Sequence, residues 1–219
     1  MAKPVNRGAR GPRGRHGRDT VGTQATERAI IEAANRLFLE RGYVGTTMDA
    51  IAETAGVVVQ TIYNSVGNKQ AVLSRVLDYS AAGGRAPATV PDTMRERTAA
   101  VPEADGLVKL LAEWFAEVQP RIAPLMRTIQ QGAAVAPEVE TLERERAAQR
   151  FRNYHEAARA MAVRSDAMGM PVPEAAALIW VLGHPVVYRF LVLEQGWSVA
   201  RYRRWLEGVM RAVFVAPLA

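Results

Sequence analysis

The sequence has no cysteine, only three histidines, and no uncharged apolar run longer than 14 residues. The missing cysteines exclude disulfides and thiolate metal sites. Of the histidines, His16 lies near the N-terminus, and His155 and His184 are not at metal-ligand spacing, so no metal site and no cofactor is expected. The longest uncharged apolar stretch, residues 175–188, has 14 residues, which suits a buried helix better than a membrane span. The N-terminus is Arg- and Gly-rich with no apolar segment behind it, so no secretory leader is expected. No phosphate-binding loop, HExxH pair or GxSxG elbow occurs, and no catalytic residue is assigned. Strand-type alternation and internal repeats are missing too, which leaves an all-α reading.

What is present is ample core material, 49% hydrophobic residues in a chain of 219, and a formal charge of +6 that is unevenly placed. Lys3, Arg7, Arg10, Arg13, Arg15 and Arg18 stand against Asp19 in residues 1–22. Residues 23–80 hold Arg28, Arg36, Arg41, Lys69 and Arg75 against Glu27, Glu32, Glu40, Asp49, Glu53 and Asp78, a slight acidic excess. The first segment is rich in Gly, Arg and Pro with almost no large apolar residue, and reads as a disordered basic arm. Such an arm is either an inert solvated tail or a contact for nucleic-acid phosphates and minor grooves.

The most informative stretch is residues 46–69, TTMDAIAETAGVVVQTIYNSVGNK. Thr47 is placed to cap a short helix whose Met48, Ile51, Ala52 and Ala55 share one face. Gly56 ends it, and a second short helix follows through about residue 64. Two helices joined by a tight glycine turn form a helix-turn-helix, whose second helix can enter a DNA major groove. A helix over residues 24–41, with Ile30, Ala33, Ala34, Leu37 and Phe38 inward, precedes this pair, with Gly42 stopping it. A fourth helix, capped by Asn68 and carrying Val72, Leu73, Val76 and Leu77, runs to about residue 82.

These residues carry a resemblance. The series Thr26-Glu27-Arg28, Ala33-Ala34, Leu37-Phe38, Glu40-Arg41-Gly42-Tyr43, Thr46-Thr47, Ile51-Ala52, Ala55-Gly56-Val57, Thr61-Ile62-Tyr63, Lys69 and Leu73 resembles the DNA-binding domain of the TetR family of transcriptional regulators. It spans residues 24–77 and departs from the common pattern at Val58, Val59, Gln60, Ser65 and Val66. The resemblance implies a palindromic double-stranded DNA operator, a small-molecule effector bound among the helices of a second domain, and a homodimer. Gln60 and Thr61 are expected at base edges, with Val58 or Val59 against a thymine methyl. Asn64 lies on the same helix and completes the expected DNA-binding set. Thr47, Tyr63 and Lys69 are expected at phosphates. Lys69 falls in the first turn of its helix, the unfavourable end for a cation, which argues for an external anion.

Domain boundaries follow from composition: a basic arm over 1–22, a three-helix helix-turn-helix domain over 23–82, a Gly-Gly linker over 83–91, and a helical effector-binding and dimerisation domain over 92–219. Within the last, one helix is expected over 106–118, a separate one from Pro120 to 131, and a highly charged one from Pro137 to about 165. Two more follow, one from Pro173, kinked near Gly183-His184-Pro185, and one over 199–215. Trp114, Met126, Ile129, Tyr154, His155, Met161, Trp180 and His184 are the candidate effector-pocket residues, each also explicable as core. Leu182, Val186, Phe190 and Leu193, with Tyr202, Leu206, Val209 and Val213, are the candidate dimer interface.

The reading is a cytoplasmic, non-enzymatic regulator with no membrane partner, a repressor released by its effector. Its alternatives are an activator, a ligand-independent DNA-binding protein, or an enzymatic or ligand-binding helical domain with a vestigial helix-turn-helix.

Overall fold

The computed structural model describes residues 16–83, 90–164 and 169–215, with side chains from Gly22 onward, and every regular element among them is helical. Helix α1 spans His16–Gly45, eight residues earlier in onset than the periodicity suggests, so residues 16–22 are helical and residues 1–15 lie outside the described region. Its regular path breaks at Gly42, whose φ of 71° is open to glycine without strain. Helix α2 (Met48–Ala55) is capped by Thr47, whose hydroxyl oxygen accepts from the Ala50 amide at 3.1 Å. Gly56 closes it in the left-handed region. Helix α3 (Val59–Ser65) follows, then α4 (Lys69–Ala82), capped by Asn68 through the Ala71 amide at 2.9 Å.

Ile30, Leu37, Phe38, Ile51, Ile62, Val72, Leu73 and Val76 close the N-terminal core. That core is not self-contained. Leu125, Met126 and Ile129, and beyond them Val139 and Leu142, complete it from the C-terminal half.

Helix α5 (Val90–Ala99) leads into the long helix α6 (Ala104–Ala133). The expected break at Pro120 does not occur: α6 runs on with Pro120 and Pro124 inside it. Each proline removes an amide, leaving the carbonyls of Ala116 and Pro120 without helical partners, at about 3 kcal/mol. The continuous stripe Leu107, Leu111, Phe115, Val118, Leu125 and Ile129 offsets this, since each fully buried large side chain contributes roughly 1.5–3 kcal/mol. Helix α7 (Pro137–Ala162) packs along α6 and α8 (Val172–Leu182).

The chain then breaks at Gly183-His184 before the short α9 (Pro185–Tyr188), a π-helical turn (Arg189–Glu194) and α10 (Val199–Phe214). The Val181 carbonyl accepts from the His184 amide at 3.2 Å, and His184 caps α9 through Nδ1, which accepts from the Val186 amide. A side chain at Gly183 has no room: its Cβ would fall against the Phe115 ring, well inside contact distance.

The spacing of Tyr202, Leu206, Val209 and Val213 suggests an outward stripe, and α10 corrects this. Tyr202 and Leu206 are fully buried with Met210 and Phe214, a four-residue spacing that faces the protomer's own core on α6. Tyr202 meets Tyr188 edge to face at 5.2 Å. Only Val209 and Val213 of the predicted set stay partly exposed on α10.

Replacing Gly183 with Ala should destabilise the fold by about 1–3 kcal/mol, the usual cost of overpacking. Urea unfolding checks this. An unchanged midpoint would mean that Phe115 can move aside and that the close helix approach is not a constraint.

Candidate nucleic-acid interface and ligand cavity

Helix α3 is tethered through one fully buried side chain, Ile62, with Val59 partly packed on the core beside it. Val58 is 69% exposed and Tyr63 49% exposed, Gln60 and Asn64 are exposed, and Val59 and Thr61 are half-buried. Gln60 Nε2 donates to Asn64 Oδ1 at 2.9 Å, one turn along. The two amides thus hold each other in place while keeping the Gln60 oxygen and the Asn64 amide nitrogen for other partners. Thr47 spends an oxygen lone pair on its cap, which leaves its O–H free to donate to an anion.

Lys69 is differently placed from the sequence expectation. Its Nζ sits 4.2 Å from the centroid of the Tyr43 ring, a cation–π contact. Tyr43 is buried, stacks on Phe38 at 5.9 Å, and donates its hydroxyl weakly to Glu138 Oε1 at 3.4 Å. Desolvation lowers the Lys69 pKa, opposed by Glu138. Burial, reinforced by Glu138, pushes the Tyr43 phenol up to about 12. Lys69 therefore has an internal partner, and a phosphate would have to compete for it or share it.

Two of the module's arginines are matched at home. Arg28 bonds Glu32 at 2.8 Å, and Arg75 pairs with Glu27 at 3.2 Å. Such exposed pairs add little stability but leave little net positive field.

A cavity of about 700 Å³ lies against α4, lined by α4, α5, α6 and α7. Leu77, Asp78 and Ala81 of α4 form one wall, Leu107, Leu110, Leu111, Trp114 and Ile122 of α6 another. Of the predicted pocket residues, Trp114, Met126 and Tyr154 line it. Ile129 belongs instead to the N-terminal core, because α6 runs past the cavity before reaching it. Met161 is fully buried in the C-terminal core. Trp180 stands behind Tyr154, 6.1 Å from it, and against His184 at 5.6 Å, so both back the wall rather than line it. His155, on α7 beside Tyr154, is not among the lining residues.

The polar wall is what sequence reasoning missed. Arg146, Gln149, Arg150 and Asn153 of α7 line the cavity, with Gln119 and Arg164. The alternating charges of residues 138–155 read as a solvated, ion-paired face. The usable signal was helical phase: from buried Leu142 to buried Met161, Arg146, Arg150 and Tyr154 fall in line at four-residue steps. Arg146 grips α4, donating to Asp78 Oδ2 at 2.9 Å, to the Ser74 carbonyl at 3.1 Å, and to the Ser74 hydroxyl. Burial pushes the Tyr154 phenol up to about 12.

An unpartnered apolar surface lies elsewhere. Val181, Phe190 and Leu193 are 56%, 47% and 56% exposed, and Leu182 and Val186 are half-buried beside them. The segment Val172–Glu194 is long and apolar enough to cross a membrane by length and composition, yet it breaks at Gly183-His184.

Comparison with known proteins locates the N-terminal module. Residues 30–76 match the bacterial regulatory proteins, tetR family. The uncharacterized HTH-type transcriptional regulator YdeS of Bacillus subtilis is 40% identical over 88 residues, 40% of this chain and 43% of that protein. The HTH-type transcriptional regulator TtgR of Pseudomonas putida is 46% identical over 55 residues, 25% of this chain and 26% of TtgR. The matches thus span less than half the length of these curated relatives. Over the whole fold, the crystal structure of NalD, the secondary repressor of the MexAB-OprM multidrug efflux pump in Pseudomonas aeruginosa, superposes with a TM-score of 0.68 at 23% identity. That match covers 90% of this chain and all of NalD, and it is a likeness of fold.

The raised Tyr43 pKa predicts a pH dependence. A phenol that holds its proton more tightly when folded contributes stability that is full below pH 10 and is lost as pH rises toward about 12. Tyr43→Phe should therefore lose less stability than wild type across that window. Urea midpoints taken across it test the point, and parallel curves would refute it.

Proposed function

We propose that this chain, whose residues 30–76 match the bacterial regulatory proteins of the tetR family, is a sequence-specific transcriptional regulator, a dimeric repressor released from a palindromic operator by a small-molecule effector. It acts in the cytoplasm and performs no catalysis. The observation that carries this reading is the double use of α4. Val72, Leu73 and Val76 belong to the recognition module's core, while Leu77, Asp78 and Ala81 wall the cavity. A ligand that fills the cavity presses on the same helix that sets the position of α3.

Arg146 is the coupling element in this reading. It touches α4 at Ser74 and Asp78 and lines the cavity from α7, so a ligand that displaces it alters the tie between the two halves. Only a difference in ligand affinity between the DNA-competent and released conformers can drive the switch. In a dimer, the two recognition helices reach successive major grooves only when they stand about 34–36 Å apart. The second copy is proposed to seat on Leu182, Val186, Phe190 and Leu193, with Val209 and Val213 of α10 beside them. Tyr202 and Leu206 take no part.

Base reading is assigned to Gln60, Thr61 and Asn64, with Val58 or Val59 against a thymine methyl, and phosphate contact to Thr47, Tyr63 and Lys69. Selection from a random duplex pool should enrich a palindrome. Gln60→Ala should then relax preference at one base pair per half-site, at about 1–3 kcal/mol of discrimination. A pool that shows no enrichment would remove the reading altogether, and a uniform loss over all sequences would make Gln60 a positioning contact.

Arg146→Ala, which removes the same tie, should weaken operator binding in the effector's absence and shrink the effector's further influence on it, which in such systems is typically about 1–3 kcal/mol. Titrating effector against free and operator-bound protein measures this. An unaltered ratio of the two dissociation constants would show that coupling runs elsewhere.

A further inference from the structure

The chemistry of the cavity wall narrows the ligand, given the reading of that cavity as the effector site. Its guanidinium groups are not equivalent. Arg146 is paired with Asp78, and Arg95 with Asp92 at 2.8 Å. Arg164 directs its N–H groups to the carbonyl oxygens of Val101, Ala160 and Thr98 at 2.9, 3.0 and 3.4 Å, which leaves it little donor capacity. Arg150 has no carboxylate at ion-pair distance among the described residues. Its neighbours are the Met126 sulfur at 3.8 Å and the Trp180 ring at 5.4 Å.

A sulfur and an aromatic face are weak partners for a cation that keeps its charge in any protein environment. Desolvation lowers the Arg150 pKa, with Tyr154 and then Glu143 opposing. The Arg150 charge in turn adds to desolvation in disfavouring protonation of His184. The wall therefore holds one guanidinium whose planar fork of donors is unspent. A second group on the same wall is unfinished. Gln119 is 3% exposed, and its Nε2 donates to the Gly183 carbonyl at 2.7 Å, but its Oε1 has no donor among the described residues. The orphaned Gln119 oxygen would take a donor, which a carboxylate lacks, so the unspent Arg150 cation in an apolar cavity is what points to an anionic head on an apolar body.

We propose that the cavity binds an apolar monocarboxylate, its head paired with Arg150 and its body lying along Leu107, Leu111 and Trp114. The carboxylate is favoured over larger anions because the fork of one guanidinium matches its two oxygens, and one negative charge neutralises the one unpaired cation. A neutral ligand leaves Arg150 unpaired, and a cationic one is repelled by it.

Calorimetric titration of the intact protein with decanoate, decanol and decylammonium, each below its micellar concentration, tests the proposal. Decanoate should bind about tenfold to a hundredfold more tightly than decanol, the range for hydrogen bonds to a charged group. Arg150→Gln should bring decanoate down to the affinity of decanol and leave decanol unchanged, and Arg150→Lys should recover part of the preference. Circular dichroism melts confirm that the variants are folded. If decanol binds wild type as well as decanoate, or Arg150→Gln keeps the preference, the cavity remains a ligand site and the carboxylate inference is overturned. If none of the three binds, the reading of the cavity as a ligand site falls, and this inference with it.

Discussion

Helix α6 is the constraint on which the remaining structure depends. One unbroken axis carries Leu107, Leu111 and Phe115 into the C-terminal core and Leu125 and Ile129 into the N-terminal core. Three side chains spaced along it then fix the other elements. Gln119 holds the carbonyl at the break between α8 and α9, Arg121 takes the Ser80 carbonyl at the end of α4 at 2.7 Å, and Thr128 takes the Phe38 carbonyl of α1 at 3.0 Å. Had the chain broken at Pro120, the two cores would be separate bodies joined by a linker. Their sharing of one helix explains how an event in one can be felt in the other without a long relay.

The distribution of charge supports the same division of labour. Within the helix-turn-helix module Arg28 and Arg75 are paired with Glu32 and Glu27, and Lys69 lies over the Tyr43 ring. Its surface is suited to reading shape and base edges rather than to long-range attraction of a polyanion. The positive excess in the sequence sits before residue 22, chiefly in residues outside the described region. Around the cavity, by contrast, arginines come inward on α7 and just beyond it, where Arg146 and Arg164 are matched to specific acceptors and Arg150 is not.

The fold was largely legible in the sequence because local rules and tertiary packing agree there. Thr47 and Asn68 cap as their residue types predict, Gly56 closes α2, and Gly183-His184-Pro185 interrupts the chain. Legibility failed where packing overrides local preference. Pro120 reads as a boundary, but a helix buried on both sides of it holds its course. Tyr202 and Leu206 fit a dimer stripe by spacing, and only the position of α6 shows that they point home. The cavity was legible in its aromatics, Trp114 and Tyr154, but not in its arginines. A charged side chain at an inward position looks, in one dimension, like any member of a solvated face.

Helix α3 is anchored chiefly by Ile62, with Val59 partly packed on the same core, and this sets how the protein can change over generations. Substitutions at Val58, Gln60, Tyr63 and Asn64 touch no core, so each should alter stability by no more than about 0.5 kcal/mol. A lineage can therefore rewrite this surface one residue at a time without passing through poorly folded ancestors. The scaffold behind it has no such freedom. Phe115 against Gly183 and Arg146 against Ser74 and Asp78 are matched sets in which a change on one side demands a reply on the other. Divergence among descendants of this chain would accumulate first at the tip of the molecule, and new targets would be acquired faster than new architecture.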